Sequence, residues 1–345
     1  VQTAVILPTF DQFASFDEKY WALSNNSGNI LFMHALARLV DCHILSPWDE
    51  EAWQGYDRFV TTELIWIREQ DPAPPNLVRW LERVGDRPII PISIGLQADR
   101  GDGDFHFHPD MLATVKEVAS RGPVAARGAF TARILQQHGI NDVHVVGCPS
   151  LYMIPLFQPS LDYLAQDTAP LSAVGNYSSF WGRMSPKDDA ILRYLKEHCD
   201  GFIEQTALSI RDTDYDNAEV IAWIERQGHM FFDLESWIRH DRRHDFSLGL
   251  RFHANVAALL AGLRALFVTI DSRTTEMAEF FALPHIAKQD FPSELPLAEL
   301  ARLADYRAFS EGYRARVAGF LDFLALCGMR PSAAYRDSLD VFGFA

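Results

Sequence analysis

The chain has 345 residues, 48% apolar and 22% charged, with 31 Lys and Arg against 46 Asp and Glu, for a formal net charge of −15. That length exceeds one small core and suits two α/β domains, and the composition excludes disordered, collagenous and coiled-coil classes. The acidic balance, with no segregated basic patch, predicts no nucleic-acid partner and disfavours attachment to an anionic lipid surface.

Residues 1–8 lack a basic flank and a long apolar run, and are read as a strand and not a signal peptide. Helical spacing of Ile30, Met33, Leu36, Ala37 and Val40 predicts a helix over 29–40. A short strand over 59–62, a helix over 77–83 and a buried parallel strand over 88–95 follow. Next come a helix over 111–120, a strand over 124–126, a helix over 130–137 and a strand over 143–146. Strand and helix taking turns in this way predicts an open, doubly wound parallel sheet.

Pro155, Pro159 and Pro170 punctuate a polar stretch, which places a domain boundary at 165/166. A second α/β series is expected beyond it: strand 172–177, helix 186–198, strand 201–206, helix 217–227 and strand 230–232. Strand 247–250, helix 253–263 and strand 266–270 complete that series. The apolar stretch 254–270 is cut by Arg264 and is not a membrane span. Residues 297–326 read as amphipathic helix. The expected division is a Rossmann-like domain over 1–165, a second over 166–310, and a helical segment over 311–345 returning to the first. Cys42, Cys148, Cys199 and Cys327 lie far apart without a CxxC pair, which suits buried thiols in a reducing cytoplasm.

Two such sheets place ligands at the carboxyl ends of their strands, so the strand exits carry the candidate chemistry. Arg251 ends a strand and His253 starts a small-residue helix, where free N–H groups and the helix dipole favour an anion. The alternative there is a capping or salt-bridged pair. Asp271, Ser272 and Arg273 follow the next strand, with Ser272, Thr274 or Thr275 as the helix cap. Gly28 and Asn29 precede a helix and can bring backbone close to a ligand, or form a simple capped loop. Ser93 and Gly95 end a buried strand, and Arg127 ends another.

Elsewhere the bland readings are preferred. His106 and His108, beside the Asp/Gly-rich loop over 99–104, read as structural, and that loop is a secondary candidate for lining a sugar site. The run 240–245 reads as a solvated charged loop. Trp21, Trp48, Trp53 and Trp66 read as packing for the first core, with stacking on a sugar ring as the alternative. No P-loop, GxSxG elbow or convincing GxGxxG is present.

Taken in order, Gly28-Asn29, Ser93-Ile94-Gly95, Arg127 with Thr131, the Leu135…Gly139 spacing, Val146-Gly147-Cys148-Pro149-Ser150, Gly249-Leu250-Arg251-Phe252-His253, Asp271-x-Arg273 and Leu283-Pro284 carry a resemblance. Over most of its length the chain resembles the polysaccharide pyruvyl transferase family, departing from its usual pattern at Asn29, Gly128 and Arg273.

The resemblance implies a GT-B-like pair of facing Rossmann-like domains, the first on the acceptor side and the second on the donor side. It also implies transfer of the pyruvyl group of phosphoenolpyruvate, as a ketal, to a sugar of an exopolysaccharide or cell-surface glycan precursor. The acceptor would be a sugar or a lipid-linked oligosaccharide, with transient contact to membrane-bound glycan assembly enzymes and a cytoplasmic location. No cofactor or metal is expected, since Arg251, Arg127 and Arg273, with Ser272 and His253, would meet the donor's charges. His253 is the expected acid and Asp271 the expected base. Gly28, Asn29, Ser93 and Gly95 would supply backbone or loop contacts. A GT-B glycosyltransferase using a nucleotide sugar and a non-catalytic glycan- or anion-binding protein are the alternatives.

Overall fold

In the computed structural model the described residues are 1–344 apart from 9–12, 100, 102, 166–168, 179–182 and 208. The first half runs β1 (Thr3–Ile6), α1 (Phe16–Ala22), α2 (Asn29–Leu39), β2 (His43–Leu45), β3 (Arg58–Thr61), β4 (Ile67–Arg68), α3 (Pro75–Val84), β5 (Ile89–Pro91) and β6 (Leu96–Gln97). It continues with α4 (Pro109–Ser120), β7 (Val124–Ala126), α5 (Ala129–Gln137), β8 (Val143–Val145) and the short α6 (Ile154–Phe157). Four strands form a parallel sheet in the order β2-β1-β3-β5, and an Ile94–Ala126 bridge ties β7 to the chain leaving β5.

The second half comprises β9 (Ala173–Asn176), α7 (Pro186–His198), β10 (Gly201–Ile203), α8 (Ala218–Gln227), β11 (Gly228–His229), α9 (Leu234–Asp241), β12 (Phe246–Gly249), α10 (Phe252–Ala261), β13 (Arg264–Thr269), α11 (Ser272–Phe281) and β14 (His285–Ala287). Its six strands are all parallel, ordered β11-β10-β9-β12-β13-β14. Such a sheet needs both faces covered: β9, β10 and β12 are buried, as is β13 beyond Arg264, while the edge strands β11 and β14 are partly exposed. The chain closes with α12 (Leu297–Arg302), α13 (Arg307–Leu326) and α14 (Ala333–Val341). α14 packs on α2 and α6, and Ser332 N–H donates to Leu39 O at 2.9 Å.

The two halves are tied together by specific bonds. Ser272 N–H donates to Ala98 O, Ala98 N–H donates to the Ser272 hydroxyl, and that hydroxyl donates to Leu96 O, at 2.9, 2.9 and 2.8 Å. Ser27 N–H donates to Gln205 O at 2.9 Å. The apolar core on one face of the first sheet is continuous with that of the second half, whereas the other face has its own core around Trp53, Trp80 and Phe59. The architecture is thus α/β, as expected, with two larger parallel sheets and two short parallel pairs, β4-β6 and β7-β8.

Several elements differ from the sequence reading. The strand expected over 88–95 shortens to β5, with Ile94 in an isolated bridge, because Pro91 has no N–H for the ladder and Ser93 takes a left-handed φ of 68°. The strand expected over 230–232 lies at Gly228–His229 instead. The helix expected over 297–326 breaks at 303–306, where Tyr306 is buried with its hydroxyl on Ala265 O and Asp305 accepts the Arg307 N–H. The run over 240–245 is not a solvated loop at its start: His240 and Asp241 end α9 at 6% and 0% exposure, because α9 packs against α10. Of the four tryptophans, Trp53 is core, Trp66 is half-buried, and Trp21 and Trp48 are exposed. His108 caps α4, its Nδ1 accepting the Asp110 N–H at 3.2 Å. The expected boundary at 165/166 falls at residues 166–168, outside the described ones, as do residues 100 and 102 of the loop over 99–104. Among the described residues, no helix is long and apolar enough to cross a membrane.

Candidate functional site

Strand ends from both sheets open onto one cavity of about 380 Å³. The second sheet contributes the best-defined turn. Gly249 has φ of 151°, and a Cβ there would sit 1.8 Å from Asn176 O, so only glycine allows β12 to exit alongside β9. Asn176 fixes the turn from the neighbouring strand: its Oδ1 accepts the Arg251 N–H at 2.7 Å and its Nδ2 donates to Asn255 Oδ1 at 2.9 Å. Asn255 in turn donates to Gly249 O at 2.9 Å. A fully bonded buried polar network of this kind rigidifies what it holds.

Arg251 therefore enters α10 as its N-cap residue, 5% exposed, with Nε donating to Tyr177 O at 3.0 Å and Nη2 donating to the Thr206 hydroxyl. Burial lowers its pKa to about 10, so the guanidinium is still charged at neutral pH. Glu204 stands near it, and burial raises that carboxyl to about 7 although Arg251 pulls the other way.

Arg127 approaches from the first half at 1% exposure. Its Nε donates to the Ser93 hydroxyl at 3.0 Å, while its Nη2 is buried with no hydrogen-bond partner among the described residues. Gly95 makes room for it, since a Cβ there would lie 2.7 Å from Ile65 O and 3.2 Å from Arg127 Cδ. Arg273 repeats the pattern: Nη2 reaches Asp271 Oδ2 at 3.3 Å, and Nε is buried without a partner among the described residues.

His253 lies in the first turn of α10, its ring 5.1 Å from that of Phe32 and its Nε2 3.5 Å from Cys148 Sγ. Burial, then Arg127 and Arg273, hold its pKa well below the ordinary value. The ring is neutral at pH 7 and offers one N–H donor.

The cavity thus gathers Arg127, Arg251, Arg273, His253 and Asn29. The other expected site residues lie elsewhere. Gly28 sits against the Gln205 side chain at the junction of the halves, and Ser93 and Gly95 stand behind Arg127. Ser272 has both its N–H and its hydroxyl engaged in the ties to Leu96 and Ala98. The expected serine or threonine cap of α11 is instead Asp271, whose Oδ1 accepts the Thr274 N–H at 2.8 Å and the Thr274 hydroxyl at 2.9 Å. With Arg273 on Oδ2, that carboxylate is committed to the turn, and it lines an adjoining pocket with Arg68, Arg183 and Lys288.

Tyr20, Asn25, Trp66 and Thr206 also line the main cavity and were not singled out as site residues by sequence alone. Only Trp66 carried a signal there, as one of four tryptophans. Four adjacent N–H-bearing groups, two of them with donors unmet among the described residues, form an arrangement that can bind a small ligand bearing more than one negative charge.

The sequence model of the polysaccharide pyruvyl transferase family matches residues 13–272. No curated protein matches the chain significantly by sequence. Among solved structures, MnaA from S. aureus with UDP is 11% identical, with 96% of this chain and 99% of that one covered and a TM-score of 0.43. HepE from Anabaena with UDP and glucose is 11% identical, with 95% and 100% covered and a TM-score of 0.49. UDP-GlcNAc 2-epimerase from Methanocaldococcus jannaschii is 8% identical, with 93% and 100% covered and a TM-score of 0.41.

Proposed function

The chain belongs to the polysaccharide pyruvyl transferase family, and from that premise we propose that it moves the pyruvyl group of phosphoenolpyruvate onto two hydroxyls of one sugar, in the cytoplasm. The observation that carries this reading is the pair of arginines, buried Arg127 and half-buried Arg273, each with a buried N–H-bearing nitrogen unpartnered among the described residues, beside Arg251 in one cavity. Phosphoenolpyruvate carries a phosphate and a carboxylate on three carbons, and three converging guanidiniums match that charge distribution.

The reaction needs a proton delivered to the methylene carbon, which leaves an oxocarbenium-like carbon. One sugar hydroxyl adds to it and loses its proton, phosphate departs with the bridging oxygen to leave a second oxocarbenium-like carbon, and the second hydroxyl closes the ketal as its proton passes to the departing phosphate. His253 is the acid, with a condition attached. In the ligand-free protein it is neutral, because burial and Arg127 and Arg273 disfavour its charge. The donor's phosphate offsets that field and draws a proton onto the ring, so the acid is armed by the substrate it acts on. Asp271 holds the α11 turn and Arg273. Burial also raises Glu204, beside Arg251, to about 7, but that carboxyl does not line the cavity.

The test is thermal unfolding with phosphoenolpyruvate and with a panel of nucleotide sugars, on wild type and Arg251→Ala. At about 100 times its dissociation constant a ligand adds roughly 2.7 kcal/mol. A shift with phosphoenolpyruvate that vanishes in Arg251→Ala supports the donor site, followed by phosphate release on addition of acceptor. A shift with a nucleotide sugar alone overturns it.

A further inference from the structure

The loop that leaves β8 carries a buried thiol to the back of the His253 ring. The Val146 and Gly147 N–H groups both donate to Ala126 O, at 2.9 and 3.3 Å, so this loop is fastened to the end of β7, one residue before Arg127. Gly147 has φ of 70°, and a Cβ there would lie 2.3 Å from Phe281 Cε2, so the chain turns against α11 at a position that only glycine fills. The short 3-10 turn Pro149–Met153 follows, held by the Tyr152 hydroxyl donating to Val146 O at 2.6 Å and the Tyr313 hydroxyl donating to Leu151 O at 2.7 Å. Cys148 and Ser150 are fully buried in it.

Cys148 Sγ lies 3.0 Å from the Ser150 hydroxyl and 3.5 Å from His253 Nε2. Nε2 is thus the inward nitrogen of the ring. The ring lines the cavity and its Nδ1 has no hydrogen-bond partner among the described residues, so Nδ1 is the nitrogen left for a ligand. Burial raises the Cys148 thiol above its ordinary range, with Arg127 and Ser150 drawing it back, and burial lowers His253. Both shifts disfavour a thiolate–imidazolium pair, so the sulfur keeps its proton and acts as a hydrogen-bonding group and not as a nucleophile. A thiol has one weak donor and one weak acceptor to offer, and here it has two neighbours to offer them to.

We propose that Cys148 and Ser150 are positioning residues for His253: the sulfur accepts the Nε2–H in both charge states of the ring, with its own S–H turned to Ser150 Oγ, so that Nδ1 is the atom that takes up and gives away a proton. In the neutral ring the Nδ1 lone pair then faces the cavity, where the charges of Arg127 and Arg273 favour a lone pair over an N–H. When a phosphate-bearing ligand binds and Nδ1 gains a proton from solvent, both N–H donors have acceptors, a ligand oxygen at Nδ1 and the sulfur at Nε2. Without the sulfur the imidazolium would keep one buried donor unmet. Passing the Nδ1 proton to the methylene carbon of phosphoenolpyruvate returns the ring to its starting tautomer, with nothing moved at Nε2. Only that last step rests on the function proposed above.

The experiment is ring ¹⁵N spectroscopy of histidine-labelled protein, with His253 assigned by its loss in His253→Gln, on wild type, Cys148→Ala, Cys148→Ser and Ser150→Ala. In the free wild type the ring should be protonated at Nε2 alone. Cys148→Ala and Ser150→Ala should each raise the Nδ1–H form about tenfold or more, the first by removing the acceptor and the second by freeing the S–H to turn onto Nε2. Cys148→Ser should keep the wild-type form. With saturating inorganic phosphate, Cys148→Ala should lower the pH at which the ring charges by about one unit or more, and Cys148→Ser should recover it. A wild-type ring protonated at Nδ1, or one tautomer common to all four proteins, overturns the positioning role. If neither inorganic phosphate nor phosphoenolpyruvate charges the wild-type ring while the tautomers shift as expected, the donor assignment falls and the positioning role stands.

Discussion

Glu276 caps a helix that belongs to the other half of the molecule: its carboxylate accepts the Thr131 N–H at 3.0 Å and the Thr131 hydroxyl at 2.7 Å. The receiving helix, α5, begins at Ala129 after Gly128, and a Cβ at 128 would lie 2.5 Å from Glu276 Cβ. The glycine thus admits the carboxylate to the positive end of α5. One residue of α11 thereby joins the two sheets beside Arg127.

Burial raises the Glu276 pKa to about 7, with the Thr131 bonds and Arg127 pulling it back. A carboxyl raised above its unfolded value near 4.5 binds a proton more tightly in the folded state. Its contribution to stability is complete below pH 4.5 and is lost as pH rises through about 7. Glu276→Gln keeps an acceptor for Thr131 and removes the titration. Denaturant unfolding of this variant should lose ~1–3 kcal/mol of the decline that wild type shows across that interval; an unchanged slope would place the proton elsewhere.

Arg127 is a buried cation with an unmet donor, a costly arrangement for folding and a favourable one for anion binding. Arg127→Met should keep or raise the unfolding temperature while abolishing the phosphoenolpyruvate shift and lowering turnover by about 10²–10³. A variant that unfolds early would mean that Arg127 is structural.

His253 is expected to stay neutral well below pH 6.5 in the free protein and to gain a proton at higher pH once phosphoenolpyruvate or inorganic phosphate is bound. Ring ¹⁵N shifts followed through a pH titration measure both states. A histidine already charged in the free protein would contradict the substrate-armed acid.

Two glycines at strand exits should differ sharply. Gly95→Ala drives a Cβ to 2.7 Å from the Ile65 carbonyl, a backbone atom that has little freedom to move, and to 3.2 Å from Arg127 Cδ. Gly28→Ala meets only the end of the Gln205 side chain, which can swing away. Unfolding should show ~1–3 kcal/mol lost in the first and less than about 1 kcal/mol in the second.

The alternation of strands and helices was legible because side-chain periodicity is local, and so were Arg127, Arg251 and His253, which stand where strand endings meet helix beginnings. Arg273 was found the same way. The reading of Ser272 as a donor contact was also local, and the structure instead engages its hydroxyl and N–H with Leu96 and Ala98, 176 and 174 positions away. His240 and Asp241 have the composition of a solvated loop, and only the packing of α9 on α10 shows that they are buried.

What the sequence by itself determined is the order of elements and the turns that carry cations, since both depend on neighbours within one or two helical turns. What only the tertiary structure decided is which of those groups share a cavity, which are spent holding it, and how each is charged. Glu276 reaches Thr131 across 145 positions, and His253 is kept neutral by burial first and then by Arg127 and Arg273, which arrive from separate stretches of chain. Burial and electric field are sums over everything packed nearby, and nothing in a local stretch of sequence states what will be packed there.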